Sequence, residues 1–187
     1  MVFPAFSPIH STRVTVRPLA ADDLPDLLEV NGDPEVTRFL PYATWQSLAD
    51  GTAWMQRMEA LEATGTGRQL VLARASDGKA IGTLLLFKHD EPSRRLEVGY
   101  TLARACWGHG LMTETLRAVC EHAFSQMQLR RLEAEVNPAN IASCELLRRC
   151  GFVLEGTLRQ RWFGKGALYD TNIYGLLRDD ARTLELP

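Results

Sequence analysis

The sequence has no run of apolar residues that approaches a length of about 18, which a membrane-spanning helix needs. Residues 1–10 lack the basic region followed by an apolar segment that is typical of a secretory signal. The 21 basic and 23 acidic side chains nearly balance, so no general attraction to nucleic acid is expected. We therefore expect a cytoplasmic protein that binds neither membranes nor nucleic acid directly.

Cysteine is also scarce. The four cysteines form no C-x-x-C pair and have no histidine near them at the spacing of metal ligands. This pattern indicates neither a zinc site nor a disulfide framework. We expect reduced thiols and no bound metal.

The length and composition are those of an ordinary globular protein. The 187 residues are 45% hydrophobic and 24% charged, enough to bury one core. There is no internal repeat, low-complexity run or linker. We expect a single domain over residues 1–187.

One stretch organises the chain, because it reads as a strand, a glycine-rich turn and a helix. Residues 96–102 alternate with a period of two, and apolar residues then recur at helical spacing from Met112 to Met127. Between them lie Gly108 and Gly110, which tolerate positive φ and let a ligand approach the backbone N–H groups. Together with the positive end of a helix, such a turn is suited to phosphate.

A second stretch, Asn137–Phe152, contains a predicted helix over 140–150 with polar residues on its apolar side. At about 100° per residue, Asn140 and Ser143 share an arc with Cys144 and Leu147. In one interpretation Asn140 caps the helix and Ser143 bonds to its own backbone. In the other, both side chains bind a ligand.

The two stretches together resemble the coenzyme A site of the GNAT family of N-acetyltransferases. They look most like the ribosomal-protein alanine acetyltransferase branch, the RimJ/RimL-like proteins. The shared motifs are a W-G-x-G turn followed by T-E, at 107–114, and N-P-x-N-x-x-S-x-x-L-L-x-x-x-G-F, at 137–152. The resemblance covers residues 12–178. It implies an enzyme that transfers acetyl from acetyl-CoA to a primary amine by direct attack in a ternary complex.

The periodicity predicts an α/β (α+β) fold with helices on both faces of a mixed sheet. The resemblance adds the GNAT arrangement, a sheet of about seven strands that splays between the fourth and the fifth. The predicted strands are 12–19, 69–74, 80–88, 96–102, 131–136, 152–162 and 168–177. The predicted helices are 24–30, a helix capped by Ser47 and Asp50, the helix after Gly110, and 140–150.

The resemblance also implies the residues that bind the cofactor. It assigns the pyrophosphate to backbone N–H groups around 106–110 and the first turn of the helix. The cofactor-binding residues are then Tyr100, Leu102, Cys106, Trp107, Gly108, His109, Gly110, Leu111, Met112, Asn137, Asn140 and Ser143. His109 could equally be an exposed residue near the phosphates. The chain departs from the family at Ala105, where a Gln or Arg is usual, and a basic residue lies one place earlier at Arg104.

Acetyl transfer needs a base for the amine, a donor to the thioester carbonyl and a proton for the leaving sulfur. Glu97 is the leading base, with Glu155, Asp170 or a water molecule as alternatives, and Glu97 could also be a solvent-facing strand residue. Many family members carry a tyrosine acid where this chain has Leu147, so the resemblance points to Ser143 or a water. We expect a backbone N–H within 98–102 to bind the oxyanion, at a bulge that splays the strands.

Aromatic residues near the two ends of the predicted site indicate where the acceptor amine binds. We expect Phe39, Tyr42, Trp45, Trp162 and Tyr169 to line that cleft, although each could be a packing residue. The leading acceptor is a protein N-terminal amine, by resemblance alone. Two alternatives are a small-molecule amine acetyltransferase and a non-catalytic acyl-CoA binding module. A homodimer is compatible with these features.

Overall fold

A computed structural model describes residues 3 and 6–182, with only the backbone described at 181 and 182. The strands are Ile9–His10 (β1), Val14–Pro18 (β2), Arg68–Arg74 (β3), Ala80–Asp90 (β4), Arg95–Leu102 (β5), Arg131–Val136 (β6), Val153–Gly164 (β7) and Ala167–Leu177 (β8). The helices are Leu24–Asn31 (α1), Pro34–Thr37 (α2), Leu48–Ala63 (α3), Leu111–Ser125 (α4), Ile141–Arg149 (α5) and Arg178–Arg182 (α6). None of these helices is long and apolar enough to span a bilayer.

The strands form one mixed sheet in the order β1-β2-β3-β4-β5-β6-β8-β7. Neighbouring strands are antiparallel except β5 and β6, which run parallel. The sheet has one strand more than the predicted seven, because the two residues of β1 pair with β2. The predicted α/β fold is confirmed.

The sheet opens between β5 and β6, as predicted. The two strands pair only from Arg95 opposite Arg131 to Glu97 opposite Glu133, and they separate beyond that point. Each strand stays fixed on its outer side, β5 by β4 and β6 by continuous pairing with β8. The opening therefore exposes one edge of each strand.

The predicted bulge within 98–102 is wrong. Pairing between β4 and β5 is regular from Gly82 opposite Leu102 to Phe87 opposite Glu97, and the irregularity lies between Phe87 and Asp90 on β4. No bulge in β5 is needed, because β4 and β8 hold the two strands apart from outside.

Helices cover both faces of the sheet. Leu70 and Leu72 point to the face where Leu116 of α4 packs. Val71, between them, points to the opposite face and packs with Leu27 of α1 and Trp54 of α3. The alternation of β3 thus separates two hydrophobic cores.

Helix α3 begins where its cap was predicted. Oδ2 of Asp50 accepts hydrogen bonds from the backbone N–H groups of Gln46, at 2.8 Å, and Ser47, at 3.0 Å. This capping box fixes the chain as it leaves the loop that carries Phe39 and Tyr42.

Candidate active site

The glycine-rich turn leaves a row of backbone N–H groups without partners in the turn itself. Gly108 and Gly110 have φ values of +76° and +75°, and Gly110 is the N-cap of α4. The N–H groups of Cys106 and Trp107 donate to the carbonyls of Ala103 and Arg104, at 2.8 and 3.1 Å. The N–H groups that can face a ligand therefore begin at Gly108 and continue through the first turn of α4.

Ion pairs brace this turn against the rest of the protein. The backbone N–H and Nε of Arg13 donate to the two carboxylate oxygens of Glu114, at 2.7 and 2.8 Å. Nη1 of Arg13 also donates to the carbonyl of His109, at 3.0 Å. Nε of Arg104, beside the turn, lies 2.8 Å from Oδ2 of Asp33, so Asp33 balances the positive charge of Arg104. The conformation of the turn is thus held before any ligand binds.

A cleft of about 570 Å³ runs from this turn to the start of α5; we call it the CoA-side cleft, after the cofactor that the sequence resemblance implies. It is lined by Leu102, Trp107, Gly108, Ala139, Ile141 and Arg149, among others. Nε1 of Trp107 donates to the carbonyl of Leu102 at 2.8 Å, which sets the ring at the edge of the turn. The ring of His109 is exposed, and His109 is not among the residues that line the cleft.

The first turn of α5 carries two polar side chains with different partners. Oδ1 of Asn140 accepts from the backbone N–H of Ser143 at 3.2 Å, so Asn140 caps the helix. Its Nδ2 donates to no described residue, and Asn140 lines both clefts of the site. The hydroxyl of Ser143 does not bond to its own backbone; it lies 2.8 Å from the hydroxyl of Tyr100. Asn137 uses Oδ1 to accept from the N–H of Ala139 at 2.9 Å.

A second cleft of about 480 Å³ lies on the α1–α3 face of the opening; we call it the acceptor-side cleft. Its floor contains buried polar residues of β3, β4 and β5, namely Gln69, Thr83, Glu97 and Thr101. Phe39 and Tyr42 form part of its wall. The two clefts share the residues Val36, Phe39, Tyr100, Thr101, Asn140 and Ser143. They therefore meet at the Tyr100–Ser143 hydrogen bond.

Glu97 lies at the base of the acceptor-side cleft. It is only 5% exposed, which excludes a solvent-facing strand residue. Its Oε2 accepts from Nζ of Lys88 at 2.6 Å. Burial raises the pKa of Glu97, and the hydrogen bond and charge of Lys88 offset part of that rise. A carboxylate with a raised pKa is suited to accept a proton from an amine.

The alternative bases lie outside both clefts. Glu155 is ion-paired with Arg131, which donates to both of its oxygens. Asp170 is exposed and accepts from the backbone N–H of Gln160 at 2.9 Å. Neither residue lines the described clefts. Of the three carboxylates considered, only Glu97 reaches the site.

The open edge of β5 presents backbone N–H groups to the gap. The N–H of Ala103 donates to the carbonyl of Ile81 on β4. Because N–H groups alternate in direction along an antiparallel strand, those of Val98, Tyr100 and Leu102 point away from β4. The N–H of Val98 is used by the last pair with β6, at Glu97 opposite Glu133, whereas those of Tyr100 and Leu102 face the opening, where a carbonyl oxygen could be bound.

Three of the predicted acceptor-binding aromatics do not line the cleft. Trp45 is 4% exposed and packs against Trp54, with ring centroids 5.4 Å apart. Its backbone N–H donates to the carbonyl of Asn31. Trp162 and Tyr169 face each other on β7 and β8, outside both described clefts. Phe39 and Tyr42 do line it, although the Tyr42 hydroxyl donates to Asn31 at 3.0 Å.

Sequence reasoning missed several charged and polar residues of the acceptor-side cleft. Glu135 lines it, and a signal was available, since Glu133 and Glu135 alternate with buried Leu132 and Ala134 on β6. Lys88 contacts both Glu97 and Glu135, and no pattern in the sequence indicated this.

The β7–β8 hairpin makes two contacts near the acceptor-side cleft. Nζ of Lys165 donates to the carbonyl of Thr37 at 2.6 Å, at the end of α2. Nη2 of Arg161 lies 3.7 Å from Oε1 of Glu135. The hairpin thus joins β6 to the segment that carries Phe39.

A sheet parted beside a turn of free backbone N–H groups, with a buried carboxylate at the gap, is the arrangement expected of a CoA-dependent acyltransferase. The chain matches the family model of the acetyltransferase (GNAT) domain over residues 13–153. It belongs to the GNAT family of N-acetyltransferases, whose co-substrate is acetyl-CoA. Among the described residues, no group of three or more His, Cys, Asp or Glu could hold a metal ion.

Curated relatives support the same assignment. The chain is 29% identical to the uncharacterized N-acetyltransferase p20 of Bacillus licheniformis over 170 residues, 91% of this chain and 96% of that protein. It is 29% identical to the uncharacterized N-acetyltransferase YoaA of Bacillus subtilis over 173 residues, 92% and 98% of the two chains. It is 29% identical to the ribosomal-protein-serine acetyltransferase of Escherichia coli over 103 residues, 55% and 58%. The predicted resemblance to the ribosomal-protein acetyltransferases is confirmed.

Solved structures share the fold. A GNAT acetyltransferase from Bacillus anthracis superposes with a TM-score of 0.82 at 18% identity, over 92% of this chain and 99% of that one. RimL, a ribosomal L7/L12 alpha-N-protein acetyltransferase in complex with coenzyme A, gives a TM-score of 0.82 at 22% identity, over 94% and 99%.

Proposed function

We propose that this protein acetylates the N-terminal amine of a protein, by direct attack on acetyl-CoA in a ternary complex. One observation carries the proposal: two clefts meet in the parted sheet at Tyr100 and Ser143. Such an arrangement lets two substrates meet end to end without a covalent enzyme intermediate.

The residues of the CoA-side cleft fit a CoA diphosphate. The free N–H groups from Gly108 into the first turn of α4 supply donors, and a Cβ at Gly108 would meet no atom within 4 Å, so the turn is open to a ligand. Arg38 and Arg149 line the same cleft and supply positive charge. In this proposal Cys106 and Trp107 contribute side chains rather than N–H groups.

The pantetheine arm lies along the open edge of β5 in this proposal. Leu102 and Tyr100 offer backbone groups on that edge, and Asn140 offers Nδ2 from the other side of the gap. Leu111 and Met112, in the first turn of α4, line the cleft beside the diphosphate, and Asn137 lies at the acceptor end.

The proposed chemistry uses three groups around the meeting point. Glu97 takes a proton from the amine, either directly or through water. The N–H group of Tyr100 binds the oxyanion as the C–N bond forms. Ser143 gives its proton to the sulfur as the C–S bond breaks, and Tyr100 and solvent replace that proton. The N-acetylated acceptor and free CoA thiol are the products.

The shape of the opening favours an extended peptide as the acceptor. Both β5 and β6 present backbone groups to the gap, and such edges bind extended chains well. The ribosomal-protein-serine acetyltransferase of Escherichia coli is among the relatives, which agrees with a protein acceptor. A small amine is the alternative, and it would leave the edge of β6 unused.

A screen of acceptors tests this proposal. Peptides that begin with alanine or serine, together with spermine and free amino acids, are incubated with acetyl-CoA, and the mass increase of each is measured. We expect the peptides to turn over fastest. Faster turnover of spermine or of an amino acid than of any peptide would overturn the peptide assignment but retain the acetyltransferase.

A matched pair of variants tests the base. Glu97→Gln should lower kcat/KM by about a hundredfold, the order that general-base catalysis contributes, and should move the pH dependence upward. Glu155→Gln removes a carboxylate outside the clefts and should leave the rate unchanged. An unaltered pH profile in the Glu97 variant would remove this residue from the mechanism.

A further inference from the structure

Lys88 holds an ammonium group against Glu97, at the base of the acceptor-side cleft. Its Nζ donates to Oε2 of Glu97 at 2.6 Å and to Oε1 of Glu135 at 2.9 Å. It also lies 5.4 Å from the centroid of the Phe87 ring. All three partners line the acceptor-side cleft. Two carboxylates and an aromatic ring would also stabilise the ammonium group of another protonated amine.

The backbone of β4 is distorted at this residue. Lys88 has a φ of +52° and lies at the register irregularity between Phe87 and Asp90. Regular alternation would point its side chain to the face of Leu84 and Leu86, which lie in the α4 core. The irregularity instead brings it to the face of Glu97. Such irregularities often re-aim a side chain next to an active site.

The Lys88 side chain is partly open to solvent. It is 47% exposed, whereas the Glu97 side chain is 7% exposed. A hydrogen bond between a buried acceptor and a half-exposed flexible donor can be exchanged for one from another ammonium. Glu135, 23% exposed, stays within reach of the displaced lysine.

We propose that Lys88 is a positioning residue that holds Glu97 ionised in the free enzyme and yields its place to the acceptor ammonium. On this proposal Lys88 remains paired with Glu135 while the acceptor amine binds Glu97. Lys88 thereby competes with the acceptor and keeps the base ready for it. The inference rests on the proposed role of Glu97 as the base.

The charges around Glu97 explain why a counter-ion is needed. Lys88 faces it from β4, and Glu133 and Glu135 face it from β6. Arg57 of α3 lines the same cleft, and Arg161 of β7 approaches Glu135 rather than Glu97. Burial and the two neighbouring carboxylates raise the pKa of Glu97, and Lys88 is the cation that opposes them. Although burial lowers the pKa of Lys88, its bonds to Glu135 and Glu97 raise it overall, so it stays protonated.

Three variants test the proposal by steady-state kinetics against pH, with whichever amine of the screen turns over fastest. In Lys88→Met, the acidic limb of the kcat/KM profile should shift to higher pH by about one pH unit or more, as expected when a neighbouring opposite charge is lost. Above that limb, KM for the amine should fall several-fold because no ammonium has to be displaced. Lys88→Arg keeps the positive charge, and its acidic limb should lie at the same pH as in the parent enzyme.

Lys79→Met is the matched control, since Lys79 pairs with Glu29 at 2.6 Å away from the clefts. It should match the parent enzyme in the pH of the acidic limb and in the KM for the amine. An active Lys88→Met enzyme with the parental limb and KM would overturn the inference while leaving the proposed function intact.

An NMR titration separates the two proposals. The carboxyl carbon of Glu97 is followed in the parent and in Lys88→Met, in the absence of acceptor. A higher midpoint in the variant supports the counter-ion role, and equal midpoints contradict it. If the parent turns over no amine, the proposed function fails, and this titration still decides whether Lys88 holds Glu97 ionised.

Discussion

The hydroxyl of Tyr100 on β5 lies 2.8 Å from the hydroxyl of Ser143 on α5. Many GNAT proteins carry a tyrosine on this helix at the position that is Leu147 here, and Leu147 is fully buried. The strand therefore supplies a phenol to the same region from the opposite side. Burial raises the pKa of Tyr100, so its hydroxyl stays protonated and can donate to Ser143.

This pair gives a first prediction. Ser143→Ala should lower kcat by about tenfold or more if the serine protonates the leaving sulfur. Tyr100→Phe should have a smaller effect, because water can replace the phenol. The double variant should be no slower than Ser143→Ala, since both residues act on one proton. Additive losses in single-turnover measurements would show that the two act separately.

A second prediction concerns the turn that faces the diphosphate. Gly110→Ala forces alanine into a φ of +75° at the N-cap of α4, at a cost of about 1–2 kcal/mol. A new Cβ would lie 3.7 Å from Nη2 of Arg13, an ordinary contact, so the effect is conformational. Affinity for CoA, measured by calorimetry, should fall about tenfold.

Gly78→Ala is the control for that measurement. Gly78 has the same φ of +75°, and a Cβ there meets no atom within 4 Å, but it lies in the 76–79 turn between β3 and β4. It should lower the melting temperature and leave CoA affinity unchanged. Equal losses of affinity in both variants would mean that global stability, not the turn, controls binding.

A third prediction concerns the spacing of β4 and β5. A Cβ at Gly82 would lie 2.3 Å from the carbonyl oxygen of Thr101, which is backbone and cannot move aside. Gly82→Ala should therefore destabilise the protein by about 3 kcal/mol in urea unfolding. Gly156→Ala in β7 meets nothing within 4 Å and should change stability by less than about 0.5 kcal/mol. Similar midpoints for the two variants would contradict this account.

A fourth prediction concerns pH and stability. Nε2 of His122 is buried without a partner among the described residues, and its ring packs against Phe6 with centroids 5.4 Å apart. Burial lowers the pKa of His122, so the folded state favours the neutral ring. The unfolded chain takes up a proton near pH 6.5, and stability should therefore fall as the pH drops below that value.

His122→Phe should flatten that dependence between pH 7 and pH 5, as measured by urea midpoints at each pH. His109→Phe, at an exposed position in the turn, should keep the parental slope. A parental slope in the His122 variant would assign the pH dependence to other groups.

Local pattern was sufficient to predict the frame of the site. The alternation of Arg131–Val136 gave β6 at its observed bounds, and the apolar spacing after Gly110 gave the buried face of α4. These elements were predictable because one face of each is buried and the other is not.

Side-chain partners across the sheet were not predictable in the same way. Lys88 reaches Glu97 through a local irregularity in β4, and regular alternation points it to the wrong face. Trp45 was expected in the cleft because it lies in an aromatic segment, but its ring packs against Trp54 in the core. Both outcomes depend on contacts between residues far apart in the chain, which periodicity does not encode.

The bond from Lys165 to Thr37 has a consequence for the wall that the two clefts share. It joins the end of the β7–β8 hairpin to the end of α2, two segments that are 128 residues apart in sequence. Phe39, two residues beyond Thr37, lines both described clefts. A displacement of the hairpin would therefore be transmitted to the place where the clefts meet.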